Sequence, residues 1–117
     1  MDKRTLELLH DRLIVRVIMT KKGRLYARLA LYESDATALD KIAQFVDHPR
    51  VAVSRTGAGY LALLIQAQSG VAKFCEVTLP HLQEGDPLRA ELVLAKAVAE
   101  APWYDRYEIL LKFLEEE

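Results

Sequence analysis

Residues 71–101 read VAKFCEVTLPHLQEGDPLRAELVLAKAVAEA. They form two helix-patterned runs joined by QEGD at 83–86. The first carries Val71, Phe74, Cys75, Thr78, Leu79 and Leu82, and the second Leu88, Leu92, Leu94, Ala95 and Val98. In both, apolar residues recur three and four positions apart, so each helix presents one apolar stripe. Pro87 suits the first helical turn with Asp86 as its cap, and Pro80 lies where the first helix bends or ends. The chain before them reads mainly as strands, and a sheet needs a layer over its inner face. These helices are expected to supply part of it.

Working outward, residues 60–66 (YLALLIQ) and 50–55 (RVAVSR) read as two strands around the turn TGAG at 56–59. A helix starting after Ser34-Asp35 runs through ATALDKIAQFVD, with Leu39, Ile42, Ala43 and Val46 on one stripe. It stops at Asp47-His48-Pro49, because proline disfavours helix at the residue before it. A first hairpin pairs residues 13–19 (LIVRVIM) with 25–32 (LYARLALY) across TKKG. In the second of these strands Leu25, Ala27, Leu29 and Leu31 face one way and Arg24, Tyr26, Arg28 and Tyr32 the other. The first strand fits the same plan with Leu13, Val15, Val17 and Met19 inward and Arg16 outward. A short helix over 2–11, capped by Asp2, precedes the strands, and a last helix over 104–117 follows Pro102. The expected order is α-β-β-α-β-β-α-α-α: one α+β domain over 1–117, with a four-stranded antiparallel sheet and helices on one face.

A chain of 117 residues, 51% hydrophobic and 28% charged, can bury a core unaided. Its net charge of -1 supplies no global field for nucleic acid or membrane, but charge is segregated. Lys3, Arg4, Arg12, Arg16, Lys21, Lys22, Arg24 and Arg28 crowd the first quarter, and Glu115, Glu116 and Glu117 close the chain. Cys75 is the only cysteine, which excludes an internal disulfide and a thiolate zinc site. No apolar run reaches the roughly 18–20 residues of a membrane span, and the N-terminus lacks a signal-peptide core. A cytoplasmic protein with no membrane partner is the expectation.

The element order, with LYARLALYESDATALDKIAQFV, RVAVSRTGAGYLALLI and VTLPHLQEGDPLRAELVLAKAVAEAP in their places, resembles a single LAGLIDADG homing endonuclease unit. The resemblance covers roughly the last four-fifths of the chain, and each part of it is a hydrophobic pattern with a polar break. It implies a saddle of antiparallel strands seated on double-stranded DNA, helices behind it, and a homodimer. In that family the first helix carries small residues at its partner interface and ends in an acidic ligand for Mg²⁺. Here TLELLHDRLIV fills that place without glycines, and Asp11 is the match for the catalytic and metal-binding acid. With Arg16, Ile14 and Ile18 outward, His10 takes that position instead. Glu84 and Asp86 replace the basic turn that the family tends to have between the last two helices.

The DNA-facing candidates are Arg16, Lys21, Lys22, Arg24, Tyr26, Arg28 and Tyr32 on the first hairpin, extended by Arg50, Ser54 and Arg55 on the second. Basic residues with aromatics on a twisted sheet suit phosphate contacts and base-edge readout. The segment YLALLI is apolar on both faces, so Leu61 and Leu63, or Tyr60, Ala62 and Leu64, lie outward, and an exposed apolar strip marks protein interfaces. Three functions follow. One is a DNA-binding protein that has lost cleavage. The second is an active Mg²⁺-dependent homodimeric endonuclease. The third is a protein-interaction module without nucleic acid. His48 and His81 are scattered, and no metal-spaced His/Cys set or phosphate loop is present.

Overall fold

The computed structural model describes residues 1–116; Glu117, the end of the expected last helix, lies outside the described residues. The order is α1 (Lys3–Arg12), β1 (Ile14–Met19), β2 (Leu25–Tyr32), α2 (Ala36–Val46), β3 (Val53–Arg55), β4 (Leu61–Ile65), α3 (Gln68–Thr78), α4 (Pro87–Glu100) and α5 (Arg106–Glu116), with a 3-10 turn at Leu79–His81 after α3. The strands form one antiparallel sheet in the order β1-β2-β4-β3. The fold is the expected α+β arrangement. The starts of α1, α2 and α4 follow from their caps. Asp2 accepts from the Thr5 amide at 2.8 Å, Asp35 from Thr37 at 3.0 Å, and Asp86 from Leu88 at 2.9 Å. These side chains satisfy amides that the first helical turn leaves without partners.

Inner-face residues Ala27, Leu29, Leu31, Leu63 and Ile65 join Leu9, Leu39, Ile42, Phe74, Cys75, Leu92 and Val98 in one core. All five helices lie behind the sheet, α4 against β1 and β2, and α2 against β3 and β4. The alternation of β2 is as expected. At the end of β1, Met19 shares the inner parity of the buried Leu25 but is itself 53% exposed, on the edge strand beside the hairpin turn.

Two contacts that set the architecture have no signature in the sequence pattern. β4 pairs with β2 only as far as Leu29↔Ile65. Beyond that point the Gln68 amide takes over the ladder. Its Oε1 accepts from the Ala27 amide at 2.9 Å, and its Nε2 donates to the Ala27 carbonyl at 2.7 Å. α3 therefore starts at Gln68, three residues before the expected apolar run. Gly70 falls inside the helix, where a Cβ would stand 3.2 Å from methyls of both Ile65 and Val51. The absent side chain lets α3 lie close against the end of β4.

Candidate nucleic-acid interface

The sheet register defines an outer face. Arg16 is directly opposite Arg28, Ile14 opposite Ala30 and Ile18 opposite Tyr26. The same parity continues through Ala30↔Leu64, Tyr32↔Ala62 and Ser54↔Ala62. Opposed residues of an antiparallel pair share a face. Ile14, Arg16, Ile18, Tyr26, Arg28, Tyr32 and Leu64 take no part in the core, and no described helix covers them. Ala30 and Ala62 are nevertheless buried. Each faces a larger residue across the ladder, so small side chains form a floor below taller neighbours. A concavity of about 380 Å³ results, lined by Ile14, Arg16, Ile18, Arg28, Ala30 and Tyr32.

Among the described residues no carboxylate lies within 4 Å of Arg16 or Arg28. Two like charges directly across a ladder are destabilising. Lys21 and Lys22 extend this positive surface at the exposed β1–β2 turn. Arg16, Lys21, Lys22, Tyr26, Arg28, Tyr32 and Ser54 are thus gathered on one side of the sheet or at its tip.

Three expected members lie elsewhere. Arg24 precedes β2, and its guanidinium sits 4.6 Å from the centroid of the Trp103 ring, drawn to the α4–α5 connection by a cation–π contact. Arg55 is opposite Leu61, in the parity of the inner-facing Val53, and its Nη1 donates to the Gly59 carbonyl at 3.0 Å. It does not extend the outer face. Arg50 is outside β3, in the loop after α2, where its amide donates to His48 Nδ1 at 3.0 Å. The two-sided apolar strand is also resolved. Leu61, Leu63 and Ile65 face the helices, while Ala62 and Leu64 face outward.

The end of α1 is the second candidate region. β1 has Arg16 outward with Ile14 and Ile18, the register expected to place His10 at the terminal position. His10 is instead engaged at both ring nitrogens, Nδ1 with the Leu6 carbonyl at 2.8 Å and Nε2 with Asp86 at 2.5 Å. The Asp86 contact, then the Leu6 carbonyl, raises the His10 pKa above its ordinary value. The same hydrogen bond from His10 is the main cause lowering Asp86. His10 thereby ties α1 to the cap of α4. Asp11 is 79% exposed, with its Oδ2 3.8 Å from Arg12.

Arg12 also reaches Glu33, 3.3 Å away. Glu33 is a mostly buried carboxylate that sequence reading passed over, since it follows β2 as an ordinary polar break. The Asp35 amide, and then the Arg12 charge, hold it below the usual carboxylate range. Asp11, Arg12 and Glu33 border a cleft of about 320 Å³ between α1 and the start of α2. As a divalent-metal site this set does not fit. Hard cations take several oxygen ligands, and here a guanidinium already lies against both carboxylates. Among the described residues no group of three or more His, Cys, Asp or Glu is placed to hold a metal ion. Nor is any described helix long and apolar enough to cross a membrane.

No profile of a known protein family matches the sequence, and no curated protein matches it. Two crystal structures of the homing endonuclease I-CvuI match the fold, each with a TM-score of 0.67 and 14% sequence identity, over 92% of this chain and 71% of the other. One is a complex with the I-CreI target in the presence of Mg, in which the DNA is not cleaved. The other is a complex with its own target, Sro1.3, in the presence of Ca. The chain has the homing endonuclease fold.

Proposed function

We propose that this chain binds double-stranded DNA through the outer face of its sheet, as a homodimer, and that it has lost cleavage. The observation that carries the reading is the opposed pair Arg16 and Arg28 on an uncovered face without carboxylate partners. The pair is repulsive in the free protein, and a polyanion relieves it. A two-stranded ribbon fits the major groove. The β1–β2 ribbon would lie there with Lys21 and Lys22 on the phosphates. The shared fold with an endonuclease solved on DNA supports DNA as the partner. Two copies about a two-fold axis would present matching sheets to the halves of a palindromic site. Loss of cleavage is supported by the Arg12 guanidinium, which lies 3.8 Å from the Asp11 carboxylate that would hold a metal ion.

The test is titration of a mixed duplex pool at two salt concentrations, with and without Mg²⁺, alongside mass measurement in solution. The expected result is binding that weakens as salt rises, by a log–log slope of roughly 0.9 per phosphate contact, with no cutting. Mg²⁺-dependent nicking abolished by Asp11→Asn would restore the endonuclease, and absence of binding at low salt would overturn DNA recognition.

A second reading rests on a different observation. Ile14 is 36% and Tyr32 41% exposed, flanking the apolar floor of the same face. A protein partner would bury them. In that case Leu64→Lys would break an assembly that forms without DNA and ignores salt.

A further inference from the structure

The outer face is not uniformly basic, and its pattern bears on which bases it can read. Along β1 the outward residues are Ile14, Arg16 and Ile18, and across the ladder Arg28 stands beside Arg16. All four line the same concavity, over the small floor residue Ala30. The outward positions of the four strands include no Asn, Gln, Asp or Glu. Side-chain chemistry in the major groove is restrictive. Arginine pairs bidentately with guanine O6 and N7, and apolar groups meet the thymine C5-methyl. Adenine calls for Asn or Gln, and cytosine for a carboxylate. The arginines and isoleucines of the concavity are thus equipped for guanine and thymine. Spacing adds the order. Alternate residues of a strand advance by about 6.8 Å, and duplex DNA rises about 3.4 Å per base pair. Successive outward residues of β1 therefore meet base pairs two steps apart.

We infer that this face selects a G·C pair at the level of Arg16 and Arg28, flanked two base pairs away on each side by T·A pairs whose thymine methyls meet Ile14 and Ile18. The inference rests on the DNA-binding reading above and deepens it. Arg28 lies across the ladder from Arg16 rather than further along it, so both arginines meet the same level of the duplex. Lys21 and Lys22, at the turn, add affinity without sequence preference.

The experiment is selection from a randomised duplex pool with the full chain, without Mg²⁺, followed by titration of the enriched duplex and its atom-level variants. The pool is expected to converge on the G·C pair with its T·A flanks. Replacing the central guanine by 7-deazaguanine removes the N7 acceptor. It should weaken binding by roughly 5- to 150-fold, and should have no further effect in whichever of Arg16→Ala and Arg28→Ala lacks the guanine contact. Replacing the flanking thymines by deoxyuridine removes one methyl each, with an expected loss of about fourfold, abolished in Ile14→Ala or Ile18→Ala. Lys21→Ala should weaken all duplexes alike. Salt-sensitive binding without guanine enrichment, or enrichment of an A·T pair at the centre, overturns this inference and leaves DNA recognition standing. No binding to any duplex at low salt overturns both.

Discussion

Arg28→Glu should make the free protein more stable and its DNA complex weaker. In the wild-type sheet Arg28 is directly opposite Arg16, and opposed Cα atoms lie about 5 Å apart. Two unit charges at that separation in water repel by roughly 0.8 kcal/mol, within the range of about 0.2–1 kcal/mol measured for cross-strand pairs. Inverting one charge replaces this repulsion by an attraction of similar size, a change of roughly 1.6 kcal/mol that screening at ordinary ionic strength reduces to about 1 kcal/mol. For a domain of this length that is a rise in Tm of roughly 4–6 °C. The gain should shrink toward zero in about 1 M salt, where the screening length falls to about 3 Å. Urea unfolding of both proteins at low and high salt measures it. The same variant loses an arginine from the proposed interface and places a carboxylate against the polyanion. Its DNA affinity should drop at both low and high salt. A variant less stable than wild type at low salt would refute the repulsion on which the assignment of this face depends. A stabilised variant with unchanged DNA affinity would keep the sheet geometry and refute the interface.

Other expectations concern the framework. Gln68→Ala strips the partner from both backbone groups of Ala27 and should cost about 2 kcal/mol in urea unfolding; Gln68→Glu, which keeps the acceptor and loses the donor, should fall between it and wild type. The His10–Asp86 contact should add a small pH dependence, up to about 1 kcal/mol for so exposed a pair. His10 is raised, so its contribution is full below the ordinary histidine pKa and disappears as pH climbs through the raised value. Asp86 is lowered, so its part is full above the ordinary carboxylate range and is lost as pH falls through the lowered value. His10→Phe should flatten the basic limb of the stability profile and leave that of an Asp2→Asn variant alone. The Cys75 thiol is buried and pushed up to about 12 by its desolvation, so a thiol reagent at pH 8 should modify it at the rate of unfolding, and reaction as fast as a free thiol would contradict its burial.

Where local rules suffice, the sequence was readable. The alternation of LYARLALY named the inner face of β2, because strand side chains repeat every two residues whatever lies nearby. Asp2, Asp35 and Asp86 marked their helix starts, since a cap is made within three residues. These features, taken in order, were enough for the α+β arrangement. The candidate site was only half readable. Arg16, Tyr26, Arg28 and Tyr32 follow from alternation, with Lys21 and Lys22 at the turn between. Arg24, Arg50 and Arg55 were placed on the same face because they are basic and near strand ends, where alternation stops and other forces act. Trp103, distant in sequence, claims Arg24, and the short β3 leaves Arg50 in a loop.

By itself the sequence determined the elements, their order and the inward residues of each amphipathic strand and helix, since periodicity and capping act over a few residues. Only the tertiary structure decided what long-range pairing decides. The β2–β4 register turned Leu63 inward and Leu64 outward in a strand apolar on both sides. Gln68 completed a ladder 41 residues away, and His10 joined α1 to a cap 76 residues on. The opposition of Arg16 and Arg28 belongs to both levels. A hairpin makes them neighbours, but a register shift by one residue would separate them onto opposite faces, and the pairing of the folded sheet is what sets two positive charges side by side on an open surface.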